Sequence, residues 1–95
     1  MARAIYEGQV IAESNDVIEI EGRTYFPPES IKASFLKRTE HTSYCTYKGN
    51  ATYYSVTVNG KVAKDAVWAY KEPKEGYEHI KNFGSFWNGV EVEKG

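Results

Sequence analysis

The chain has 95 residues, a formal net charge of −1, 41% hydrophobic and 15% aromatic residues, and a single cysteine. That length makes one domain, residues 1–95, and the apolar and aromatic content argues for a packed core and against a disordered tail. One cysteine excludes an internal disulfide, a near-neutral charge argues against general nucleic-acid binding, and charged residues interrupt every apolar run well short of the roughly 20 residues a membrane span needs.

No positively charged leader with an apolar run precedes Ile5, so a cytoplasmic location is expected. The charge is unevenly spread. Residues 1–29 carry Glu7, Glu13, Asp16, Glu19, Glu21 and Glu29 against Arg3 and Arg23, whereas residues 30–48 carry Lys32, Lys37, Arg38 and Lys48 against Glu40. A locally basic segment favours a small anion.

Taken in chain order, "RAIY", "VIAES", "VIEI" and "TYF" are short β-favouring runs separated by "EGQ", "ND" and "EGR", the signature of a meander. In "VIEIE", Ile18 and Ile20 share one face of a strand and Glu19 and Glu21 the other. "FPPESIKASFL" changes character: Pro27 and Pro28 lack ladder donors, and Pro28 followed by Glu29 suits a helix start, predicting one or two helical turns. The chain then returns to extended form over Ser34–Thr39 and presents His41–Gly49 as a loop.

The strongest local signal is "ATYYSVTV-NG-KVAKDAVWAY", two alternating runs around Asn59-Gly60, residues that tolerate the positive φ of a two-residue hairpin turn. Such a loop would pair Val56 with Ala63, Tyr53 with Ala66 and Ala51 with Trp68, and its register is left open. Beyond Tyr70, "KEPKEG" reads as a turn, "YEHIKNF" as room for a short helix, and "SFW-NG-VEV" as a second, smaller hairpin. The expected class is α+β, mainly β: a compact, tent-like curved antiparallel sheet or small open barrel with one or two short helices.

"HTSYCTYKG", His41 to Gly49, concentrates a histidine, the cysteine, two tyrosines and a lysine. As a metal site it is incomplete, because zinc needs three or four ligands and only His41 and Cys45 are at hand, with His79 distant. As a nucleophile, Cys45 with His41 as base requires the two within hydrogen-bond reach. As a binding segment it offers the Lys48 cation, the open Gly49 amide and the rings and hydroxyls of Tyr44, Tyr47, Tyr53 and Tyr54.

"HTSYCTYKGNATYYSV", "DAVWAYKEP" and "FGSFW", together with "GQVIAES" and "TYFPPESI", resemble domain-of-unknown-function family 427 over nearly the whole chain. Thr46 stands where that pattern expects a proline. The resemblance implies a β-rich domain with a crevice near the Cys-Lys-Gly segment and the Trp68 strand, and no established substrate. By matching position it points to His41, Cys45, Tyr47, Lys48, Gly49, Tyr53, Trp68, Tyr70 and Pro73. Some catalogues call the family nucleotidyltransferase-like. Gly84-Ser85 does precede Glu91-Val92-Glu93, but five residues intervene and no nucleoside scaffold follows.

The expected function is therefore binding of a small anionic or aromatic ligand between the His41–Gly49 loop and the Trp68 strand. Tyr47, Lys48, Gly49, Tyr53, Trp68 and Tyr70 form that site, with His41 and Cys45 as polar contacts or catalytic candidates. No metal or cofactor is expected, and a homodimer is left open. Two other readings stand beside it: an enzyme of nucleotidyltransferase-like or Cys-His type, and an interaction module whose aromatics form an exposed patch.

Overall fold

The computed structural model describes all 95 residues. Nine strands form: β1 (Ala2–Tyr6), β2 (Gln9–Ser14), β3 (Ile18–Ile20), β4 (Arg23–Tyr25), β5 (Leu36–Cys45), β6 (Gly49–Val58), β7 (Lys61–Tyr70), β8 (Gly84–Phe86) and β9 (Glu91–Glu93). They make three antiparallel sheets, ordered β2-β1-β9, β3-β4 and β5-β6-β7-β8, and none of them closes. No helix is long and apolar enough to cross a membrane.

Period-two alternation gives the four-stranded sheet two different faces. On one, Val56, Val67 and Phe86 pack with Ala4, Ile11 and Phe26 beneath the three-stranded sheet. On the other, Ala51, Trp68 and Tyr70 pack with Tyr25 and Ile80. The β3-β4 ribbon meets the larger sheet at its β8 edge, where Phe26 and Gly84 exchange backbone hydrogen bonds of 2.8 and 2.9 Å. From that edge it curls back over the second face, bringing the Tyr25 ring 6.4 Å from Trp68.

The expected short helices are absent. Three-residue 3₁₀ turns stand at Pro28–Ser30, Ala33–Phe35 and Glu78–Ile80. The first stops because Ile31 is already extended, at φ −97° and ψ 127°, and bridges to Ala12 while the Lys32 amide donates to the Ile11 carbonyl. Tertiary pairing thus overrides the Pro-Glu start signal. Downstream of the third turn, Asn82 takes positive φ and its amide donates to the Tyr70 carbonyl, so helix growth ends there.

His41–Gly49 is not a loop either. His41–Cys45 complete the ten-residue β5, and only Thr46–Lys48 turn. The ladder Thr42–Thr52, Ser43–Ala51, Tyr44–Asn50 and Cys45–Gly49 gives these polar residues partners that their own pattern does not advertise. Gly49 makes the turn workable. Its φ is +108°, and a Cβ there would lie 3.3 Å from the Glu72 carbonyl oxygen.

At Asn59-Gly60 the hairpin forms with φ of 48° and 81°, and Val56 pairs with Ala63 as expected. Past that point the register moves by two. Lys64, Asp65 and Ala66 oppose Ser55 alone, so Tyr54 meets Val67, Tyr53 meets Trp68 and Ala51 meets Tyr70. The bulge is held by the Asp65 amide donating to Ser55 Oγ at 3.1 Å, and Asp65 itself has φ 52°. Bulges of this kind bend a strand and re-aim its side chains. The second Asn-Gly does not close a hairpin: β8 pairs with β7, whereas β9 pairs with β1. Trp87 Nε1 donating to the Asp65 carbonyl and Asn88 Nδ2 to that of Lys64 pin the turn to β7, and the chain then crosses to the other sheet.

Candidate functional site

The ribbon and the second face of the four-stranded sheet border an open, solvent-facing cavity of 280 Å³ lined by Arg23, Tyr25, Tyr53, Trp68, Tyr70 and Trp87. Its volume is near the lower end of the range for small-molecule sites, about 300 Å³. Each strand supplies its residues by alternation. Arg23 and Tyr25 flank the buried Thr24 on β4, Trp68 and Tyr70 flank Ala69 on β7, and Tyr53 faces Trp68 across the ladder. Ser85 Oγ, donating to the Thr24 carbonyl at 3.0 Å, ties β4 to β8 from beneath.

The rings are set edge to face. Trp68 and Trp87 have centroids 6.3 Å apart at 83°, and Tyr25 stands at 89° to Trp68. The Arg23 guanidinium lies 5.4 Å from the Trp68 centroid, close enough for cation–π attraction. Tyr53 is braced from outside by Ser43 Oγ, 2.9 Å from its hydroxyl, and by the His41 ring at 4.5 Å. The Tyr70 phenol is held well above its ordinary range, first by burial and then by Tyr25, Cys45, Tyr53 and Glu21. It stays protonated and is a neutral hydrogen-bond donor.

Of the residues singled out in the sequence, Tyr53, Trp68 and Tyr70 line this cavity. Lys48 and Tyr47 stand outside it. Tyr47 is 70% exposed, whereas Lys48 is buried, its ammonium 3.5 Å from Glu21 and 5.2 Å from the Tyr77 centroid. The Lys48–Glu21 pair clasps the Glu21-Gly22 turn of the ribbon to the β5–β6 turn. Gly49 opens β6 directly after that second turn, and the segment following β7 is tied to the turn by the Lys74 amide donating to the Lys48 carbonyl at 3.0 Å. Pro73, half-buried, precedes that tie.

Cys45 ends β5 beside the clasp. Partial burial works against its thiolate, but the Lys48 and Tyr47 amides and the Lys48 ammonium outweigh burial and hold the thiol below its usual value. Lys48 in turn is raised: its desolvation is overcome by Cys45, Glu21 and Tyr25. His41 does not join Cys45. Four residues of extended strand separate their Cα atoms by roughly 13 Å, beyond hydrogen-bond reach.

Glu91 and Glu93 lie exposed on β9, opposite Ile5 and Arg3, in a different sheet from Gly84-Ser85. No group of three or more His, Cys, Asp or Glu is arranged to hold a metal ion. Sequence reasoning missed Arg23, Tyr25 and Trp87 as wall residues. The available signal was the Arg-x-Tyr alternation of β4, which places a cation and a ring on one face, and a tryptophan immediately before an Asn-Gly turn.

No curated protein matches the chain. A family model described as "Domain of unknown function (DUF427)" matches residues 1–94, and the chain belongs to that family.

Proposed function

We propose that the protein binds a small planar ligand carrying a negative charge in the aromatic cavity. The observation that carries this reading is the Arg23 guanidinium over Trp68 at the rim of a hollow whose other walls are all aromatic. A ring inserted among Tyr25, Tyr53, Trp68 and Trp87 gains edge-to-face and stacking contacts. Its anionic group reaches Arg23, a fork-shaped donor suited to carboxylate or phosphate, while the protonated Tyr70 hydroxyl supplies a neutral donor. The role is recognition without turnover, and the roughly 13 Å between His41 and Cys45 gives Cys-His chemistry no support.

Arg23 thus takes the part that the sequence offered to Lys48. An ammonium already partnered by Glu21 and Tyr77 has less charge to give a ligand. Lys48 contributes indirectly, by clasping the ribbon that carries Arg23 and Tyr25, and Gly49 by permitting the turn that presents Lys48.

Both tryptophans of the chain line the cavity, so intrinsic tryptophan fluorescence reports on it alone. Benzoate and adenosine 5′-monophosphate, neither of them an indole emitter, are titrated against the neutral benzamide. Saturable fluorescence change by at least one anion, weakened about tenfold or more in Arg23→Leu, supports the proposal. Equal binding of acid and amide, or an unchanged affinity in Arg23→Leu, overturns it.

A further inference from the structure

The opposite face of the same sheet carries a second pair of hollows that share one wall. Leu36 and Arg38 on β5, Tyr54, Thr52 and Asn50 on β6, and Val67 and Ala69 on β7 followed by Lys71 all project to this side by alternation. At one end, Pro28, Ile31, Leu36, Tyr54, Val67 and Ala69 help to line a mainly apolar hollow of 130 Å³. At the other, Arg38, Asn50, Thr52, Lys71 and Glu72 line a wholly polar hollow of 480 Å³. Lys71 belongs to both, its ammonium 5.4 Å from the Tyr54 centroid, where the two meet.

We infer that this face is a second binding site, for a small amphipathic anion whose apolar tail fills the first hollow and whose carboxylate or phosphate head sits between Lys71 and Arg38. The charges favour that occupant: two cations face one carboxylate, Glu72, and Asn50 and Thr52 add uncharged donors. A cationic head would meet like charge at the junction, and a wholly polar ligand would leave the apolar end unfilled. The site is independent of the aromatic cavity, because alternation sends its residues away from Tyr53, Trp68 and Tyr70.

The test uses octanoate, kept below its micelle concentration and titrated into the ¹⁵N-labelled full chain, with octylammonium as the same tail bearing the opposite charge. Octanoate shifts the amides of Leu36, Tyr54, Ala69 and Lys71 and leaves the indole N–H signals of Trp68 and Trp87 in place, and octylammonium binds at least about fivefold more weakly. Lys71→Glu and Arg38→Glu each weaken octanoate by at least about fivefold, and Ala33→Phe, at an exposed position of the apolar hollow, removes the shifts. All three positions are exposed, so the variants keep a wild-type Tm. No shift at millimolar octanoate, equal binding of the two probes, unchanged affinity in the three variants, or shifts confined to the aromatic cavity overturns the inference.

Discussion

Replacing Lys48 separates what its charge does from what its stem does. The side chain is only 8% exposed, so three methylenes lost in Lys48→Ala cost about 2 kcal/mol at 0.8 kcal/mol each. Lys48→Met keeps most of that apolar volume and removes the ammonium. The ion pair lost with it is weak, because Glu21 is 71% exposed and solvent screens the interaction to about 1 kcal/mol or less. The contact with Tyr77 adds about 1 kcal/mol, and removing a buried charge returns its desolvation cost, which offsets both. Differential scanning fluorimetry should therefore show Lys48→Ala lowered by about 10–15 °C and Lys48→Met within about 5 °C of wild type. The pH dependence has a fixed sign. A lysine whose folded pKa lies above 10.5 contributes stability present below that pH and lost as pH climbs through the folded value. Wild type should lose this part in strong alkali, and Lys48→Met should have none to lose. If Lys48→Met is destabilised as much as Lys48→Ala at neutral pH, the charge and not the stem holds the two turns together, and the reasoning fails.

Four further outcomes follow from the same structure. Cys45 should be alkylated by iodoacetamide with a pH midpoint below 9.0, and Lys48→Met should move that midpoint upward; a midpoint unchanged by the substitution removes the ammonium from the account. Phe26→Ala, at a fully buried ring 5.5 Å from Phe86, should cost about 3–5 kcal/mol in urea unfolding, and a loss under 1 kcal/mol would mean that the core under the three-stranded sheet is wrongly described. Gly49→Ala should destabilise by about 2 kcal/mol, since φ of +108° and the Glu72 carbonyl both oppose a Cβ, and a neutral result refutes the β5–β6 turn geometry. Asp65→Gly should raise Tm, because Asp65 sits at φ 52° with one buried carboxylate oxygen that has no hydrogen-bond partner; a lower Tm would show that its side chain holds the bulge.

Much of the fold is legible in the sequence wherever a local rule and the tertiary structure agree. Asn59-Gly60 names its turn, and the alternation around it names two strands. The two-residue slip past Val56 is not legible, since it arises from a bulge fixed by Ser55, Trp87 and Asn88, two of them distant in the chain. The same holds at Asn88-Gly89, where an identical dipeptide turns the chain from one sheet to another because β9 finds β1. In the site, Tyr53, Trp68 and Tyr70 are readable as aromatic positions on paired strands. Arg23 and Tyr25 are not, because a two-stranded ribbon near the start reaches them only by curling over the sheet. The charge of Lys48 is legible in the sequence, whereas its burial beside Glu21 and Tyr77 depends on the ribbon folding over the β5–β6 turn.

The central claim concerns the cavity between ribbon and sheet. Two tryptophans give two indole N–H cross-peaks in a ¹H–¹⁵N spectrum, and both rings border that hollow. Titration with indole-3-carboxylate should move both peaks together in wild type, and Arg23→Leu should suppress the movement. Peaks that stay fixed at saturating ligand, or that move equally in Arg23→Leu, contradict the account.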